Sequence, residues 1–150
     1  MDFDSGGSHP SSRQMRGYVA CFLAGLPERN RLPLDYSVAS LRLVDRIIDG
    51  LRRDQPDRAR VDPVLRGLGA YLGEVMVRRA GGRWVDFDAE QRLFFGQPVG
   101  IRMGDGRVWN PLGKTANRFE AGSEESVQRF YLLVHGRSRR AVPARVLPVP

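Results

Sequence analysis

Apolar positions recur along this chain with two different periods, and the change from one to the other falls at Gly81 and Gly82. Before it the steps are helical. Met15, Tyr18, Val19, Phe22 and Leu26 follow one another at three- and four-residue spacing, and Gly25 and Pro27 end the run, which predicts a short amphipathic helix with Cys21 at or near its buried side. The prolines of "PERNRLPLD" mark a loop. Ser37 then stands where an N-cap belongs for a helix running to about Arg53, with Leu41, Val44, Ile48 and Leu51 as its stripe and Val38 and Ile47 beside them. Arg42, Asp45, Arg46, Asp49, Arg52 and Arg53 take its other side, and "DQPDRAR" breaks it.

The third helix is expected to open with Asp62 as N-cap and Pro63 at the first helical position, and to stop at the double glycine. Val64, Leu65, Leu68, Tyr71, Leu72, Val75 and Met76 cover one side, and Gly69, Ala70, Gly73 and Val77 continue around it. Only Arg66, Glu74 and Arg78 are left as a polar strip. A helix this apolar is gripped from more than one direction, which makes it the central one.

Beyond Gly82 the period drops to two. "RWVDFD" alternates, "RLFFG" extends it or pairs with it, and "VGIRM" and "RVWNP" flank Asp105-Gly106, the signature of a two-residue hairpin loop. Three or four antiparallel strands are therefore expected between residues 83 and 110. Helices return with "PLGKTANRFEAG", where Leu112, Ala116 and Phe119 share a face, and with "SEESVQRFYLLVHG". In the latter Ser123 is the expected cap, Glu124 and Glu125 suit the first turn, and Val127, Phe130, Tyr131 and Val134 are the packing positions. The predicted architecture is a single α+β domain over residues 13–136, with helices flanking a small antiparallel sheet. Residues 1–12 read as a disordered polar tail and residues 137–150 as a basic tail rich in arginine and proline.

A length of 150 residues with 41% hydrophobic side chains fits one domain with a real core. There are 24 basic against 17 acidic residues, net +7, and every basic residue except Lys114 is arginine. The excess is spread thinly along the chain, so it points weakly to nucleic acid. Only "RSRRAVPARVLPVP" is purely basic, and Arg137, Arg139, Arg140 and Arg145 are the candidate nucleic-acid contacts. Cys21 is the single cysteine, which excludes an internal disulfide or a multi-cysteine metal site and fits a reducing cytoplasm. The apolar run "YVACFLAGL" is far shorter than the roughly 20 residues of a membrane span, and where a lipoprotein signal needs an apolar segment ahead of "YVAC" the chain has "SSRQMRG". A cytoplasmic protein without a membrane anchor is expected.

Chemical motifs fail on context. "GLGAYLG" has the wrong glycine spacing for a dinucleotide loop and lies inside a helix, while "GKT" at 113–115 lacks the earlier glycine of a phosphate loop. Asp86, Asp88 and Glu90 form an acidic cluster without a calcium loop around it, and His9 and His135 have no clustered ligands. A nucleophile would have to be Cys21 or a serine with a histidine base; Cys21 with His135 is one such pair, and Cys21 reads instead as a packing residue. No catalytic residue, metal or cofactor is expected. Glu74 is explained by packing: it pairs with Arg78 four residues on, and Gly69 and Gly73 admit a close neighbour. The candidate interaction surface is then Glu74, Arg78, Trp84, Asp86, Trp109, Asn110, Lys114 and Arg118, with Lys114 and Arg118 one turn apart. Tryptophan and arginine favour interfaces, although both tryptophans read better as core. The expected function is a non-enzymatic protein-binding or regulatory module with an unidentified protein partner. The alternatives are a nucleic-acid-associated protein using the arginine tail, and a small ligand-binding or hydrolytic enzyme in which Glu74, Asp86 and Lys114 converge.

Three segments, "LPLDYSVASLRLVDRIIDGL", "LGAYLGEVMVRRAGGRW" and "NPLGKTANRFEAGSEESVQRFY", together resemble a family of small bacterial proteins, chiefly actinobacterial, defined as a domain of unknown function. The resemblance covers residues 32–134, and its most specific part is the "LGAYLGEV" helix followed by a glycine and tryptophan strand. It implies an intracellular α+β domain and assigns no activity, cofactor or catalytic residue.

Overall fold

A computed structural model describes residues 9–28, 33–54 and 57–146, of which 141–146 are described as backbone. A 3-10 turn, Ser12–Gln14, leads into α1, Met15–Ala24, followed by α2, Leu41–Asp54, and α3, Arg58–Ala80. Strand β1 is Arg83–Asp86, α4 is Ala89–Phe95, β2 is Val99–Arg102 and β3 is Val108–Trp109. Helix α5, Pro111–Ala121, a 3-10 turn, Ser123–Glu125, and α6, Val127–Val146, complete an α+β domain. The three-stranded sheet is antiparallel in the order β1-β2-β3.

The almost wholly apolar α3 is the axis of this arrangement, touching α1, α2, α5, α6 and the first two strands. Leu68, Tyr71, Leu72, Val75 and Met76 are buried on it, joined by Met15 and Val19 of α1, Leu41, Val44 and Ile48 of α2, Ile101 of β2 and Val127 and Tyr131 of α6. Its glycines face three different neighbours. A Cβ at Gly67 would lie 2.2 Å from the Phe22 ring, at Gly69 2.7 Å from the Leu112 Cα, and at Gly73 2.2 Å from the Trp84 indole. The close approach expected at Gly69 and Gly73 is made by α5 at the first and by β1 at the second.

Several expected boundaries move. Helix α3 starts a turn before Asp62, because Asp57 caps it by accepting from the Ala59 N–H at 3.2 Å. Pro63 withholds a donor only from the exposed first turn, and Asp62 binds Arg58 four residues back. "RLFFG" is not strand but α4: Asp88 and Gln91 form a reciprocal capping box, and Gly96 closes the helix at φ 70°. This D-x-x-Q signature was readable in the sequence. The hairpin loop holds three residues, 104–106, closed by the Met103 N–H on the Arg107 carbonyl. Asp105 bonds the Arg107 N–H (3.0 Å), and Gly106 takes the positive φ of 86° that completes the loop. The cap of α6 is Ser126, whose hydroxyl accepts from the Arg129 N–H at 3.2 Å, while Ser123 opens the preceding 3-10 turn. Order also reaches past both expected ends: Ser11 and Ser12 are engaged at one, and α6 carries through residues 137–146 at the other. Residues 1–8 and 147–150 of the expected tails lie outside the described residues.

Candidate functional site

The candidate residues fall into separate clusters. Glu74 is buried on α3, accepting from Arg78 Nε at 3.1 Å through one carboxylate oxygen and from Trp84 Nε1 at 3.1 Å through the other. The pairing with Arg78 follows the helical spacing. The bond from Trp84 crosses the Gly81 turn, whose φ of 73° reverses the chain. Arg78 also lies over the Tyr36 ring, 3.6 Å from its centroid, and Arg79 Nε donates to the Tyr36 carbonyl at 3.0 Å. Tyr36 itself sits at φ 64°, an unusual conformation for a side-chain-bearing residue. Its N–H donates to the Tyr71 hydroxyl at 2.8 Å. Ser40 spends its proton on the Ser37 carbonyl at 2.6 Å, which leaves the Tyr71 proton for Ser40 at 2.5 Å. Burial pushes the Tyr71 phenol up, so it stays a donor.

Asp86 lies apart from this cluster. Its carboxylate accepts from Ser12 N–H at 2.8 Å and Ser12 Oγ at 2.9 Å, and these bonds hold it below the ordinary carboxylate range. Lys114 pairs with Glu125 and lies 5.5 Å from the Phe130 ring centroid. Glu74, Asp86 and Lys114 thus have three separate sets of partners. None of them lines the cavity of about 190 Å³ bounded by Arg58, Asp62, Leu65, Arg66, Gln97, Leu112 and Ala116. Among the described residues, no group of three or more His, Cys, Asp or Glu is placed to hold a metal ion. Lys114 and Thr115 of "GKT" lie inside α5, and the Thr115 hydroxyl donates to the Leu65 carbonyl at 2.7 Å.

Arg118 is buried rather than displayed. Its Nε donates to Asp45 at 3.0 Å and its Nη2 to Asp49 at 2.7 Å, while Nη1 is buried with no hydrogen-bond partner. Asp45 is a junction that the helical pattern leaves on the polar side of α2. It also accepts from the Val127 N–H at 2.8 Å and from Ser126 Oγ at 3.0 Å, and so holds the N-terminus of α6. Asn110 caps α5 through the Gly113 N–H at 3.0 Å and donates to the Phe95 carbonyl at 3.0 Å. Trp109 meets Phe130 edge-on at 5.9 Å with its Nε1 buried, a packing role.

The large apolar side chains that stand at the surface were not among the expected residues. On α4, Leu93 is 88% exposed and Phe94 81% exposed. Phe94 meets Phe95 edge-on at 4.8 Å, and Phe95 stacks on Phe87 at 4.8 Å. Phe87 is buried outside the main core, against Gly100, where a Cβ would lie 2.0 Å from the phenyl tip. The signal for this cluster was the apolar "LFF" run in a helix too short to bury it. Leu132 and Leu133 on α6 are also exposed, and so are Arg137, Arg139 and Arg140. Among the described residues, no helix is long and apolar enough to cross a membrane. No family model, curated protein or solved structure matches the chain.

Proposed function

We propose that this chain is a cytoplasmic, non-enzymatic protein-binding module whose contact surface includes α4. The observation that carries this reading is the adjacent pair Leu93 and Phe94, both almost fully exposed on a helix of seven residues. Burying such a side chain against a partner contributes about 1.5–3 kcal/mol, and within the fold Phe94 makes only an edge contact to Phe95. The separate engagement of Glu74, Asp86 and Lys114 weighs against the enzyme reading. A second reading, association with nucleic acid, draws on the exposed Arg137, Arg139 and Arg140 of α6. The side chain of Arg145 lies outside the described residues.

One experiment separates the two. The tagged full chain is captured from its native cells with and without nuclease, beside Leu93→Ser/Phe94→Ser and Arg137→Gln/Arg139→Gln/Arg140→Gln variants whose circular dichroism is unchanged. A stoichiometric protein that survives nuclease, is lost with the first variant and is kept by the second is the expected result. Loss of every partner on nuclease treatment, and with the arginine variant alone, would transfer the function to nucleic acid.

A further inference from the structure

We propose that the outer face of the sheet, from Arg83 and Arg102 to Leu93 and Phe94, binds an acidic polypeptide segment that also carries apolar side chains. This rests on the protein-binding reading and names the partner's chemistry. The register pairs Trp84 with Ile101 on the face turned to α3, so the pairs Arg83–Arg102 and Val85–Gly100 point the other way. Two arginines are therefore directly opposite on neighbouring strands, an arrangement that repels. Both are exposed, and among the described residues neither has an ion-pair partner. By contrast, Arg58, Arg78, Arg107 and Arg118 all have carboxylate partners within the fold.

The cationic pair adjoins the aromatic cluster. Gly100, which seats the Phe87 ring, is two residues from Arg102 on the same face, about 7 Å along the strand. The rings of Phe87, Phe95 and Phe94 in turn lead from that face to the exposed apolar side of α4. Of the neighbouring acids, Asp86 pairs with Val99 on the Trp84 side of the strand, away from Arg83 and Arg102, and accepts from Ser12, Asp88 caps α4, and Glu90 is the uncommitted acid of that helix. A net charge of +7 repels a second copy and steers an acidic partner. Nucleic acid fits less well, since stacking successive bases needs several open ring faces, whereas Phe87 and Phe95 are stacked on each other and Phe94 alone of the three rings is exposed.

The test is amide chemical-shift mapping of the isotope-labelled full chain. The probes are a short synthetic peptide of glutamate, leucine and phenylalanine, the same peptide with lysine for glutamate, and a single-stranded oligonucleotide. The glutamate peptide should move the amides of β1, β2 and α4 and bind about tenfold tighter than the lysine peptide. Its affinity should fall about tenfold in Arg83→Glu/Arg102→Glu and in Leu93→Ser/Phe94→Ser, with circular dichroism unchanged. Equal binding of the lysine peptide at the same amides would overturn the acidic partner and leave the protein-binding reading standing. Strongest shifts with the oligonucleotide, or shifts that follow protein concentration alone, would replace it with nucleic acid or a second copy. Shifts confined to other elements would overturn the surface, and no response to any probe would overturn the acidic segment, while the capture experiment decides the protein-binding reading separately.

Discussion

At Glu74 both carboxylate oxygens are occupied by donors from the same fold, one from the next turn of the helix and one from across a glycine turn. The first was legible, because four-residue spacing fixes it. The second was not, because a turn of unknown angle lies between the partners. Asp86 differs in being exposed, and it carries a pH dependence. Its pKa is depressed on folding, first by the Ser12 N–H and then by the Ser12 hydroxyl. A group of that kind stabilises the folded chain above its unfolded value, about 4, and loses the contribution as pH falls through the lower folded value. The Ser12 tether is therefore expected to hold at neutral pH and to release in acid, read as a titrating Ser12 amide shift in NMR. The titration should vanish in Asp86→Asn. A wild-type Ser12 amide that stays constant into the acid range would show that the tether contributes nothing.

Elements were legible where apolar stripes were long, as in α2 and α3, and illegible where three apolar residues stood alone, as in α4. Periodicity cannot assign so short a run, and the decision came from the Asp88 and Gln91 cap. For α3 the sequence exposes the glycines, while only the packing gives each its neighbour. Two glycine replacements should consequently have opposite signs. Gly73→Ala gains up to about 1 kcal/mol of helix propensity, but its methyl group collides with the Trp84 indole, so a net loss of about 1–3 kcal/mol is expected in urea unfolding. Trp84 fluorescence should shift with it. Gly17→Ala on α1 meets nothing within 4 Å and is expected to stabilise by about 0.5–1 kcal/mol. Equal effects at the two sites would contradict the packing described for α3.

Across the whole molecule, α2, α5 and α6 are tied together at Asp45. Its partners Arg118 and Val127 lie 73 and 82 residues away in sequence, so no local pattern announces it. Asp45→Ala should destabilise by about 3 kcal/mol, since it leaves the buried Arg118 guanidinium with Asp49 as its remaining carboxylate and takes the acceptor from the Val127 N–H at the start of α6. The measurement is again urea unfolding, and a loss below about 1 kcal/mol would place the junction among ordinary surface pairs. The glycines of α3 bear on how such a molecule is assembled. Gly67, Gly69 and Gly73 each forgo about 1 kcal/mol of helix propensity, and Pro63 interrupts the early hydrogen bonds. Taken out of the protein, this segment has little reason to be helical. The axis of the fold is then a product of docking rather than its seed, and its helix and the packing around it form in one cooperative event.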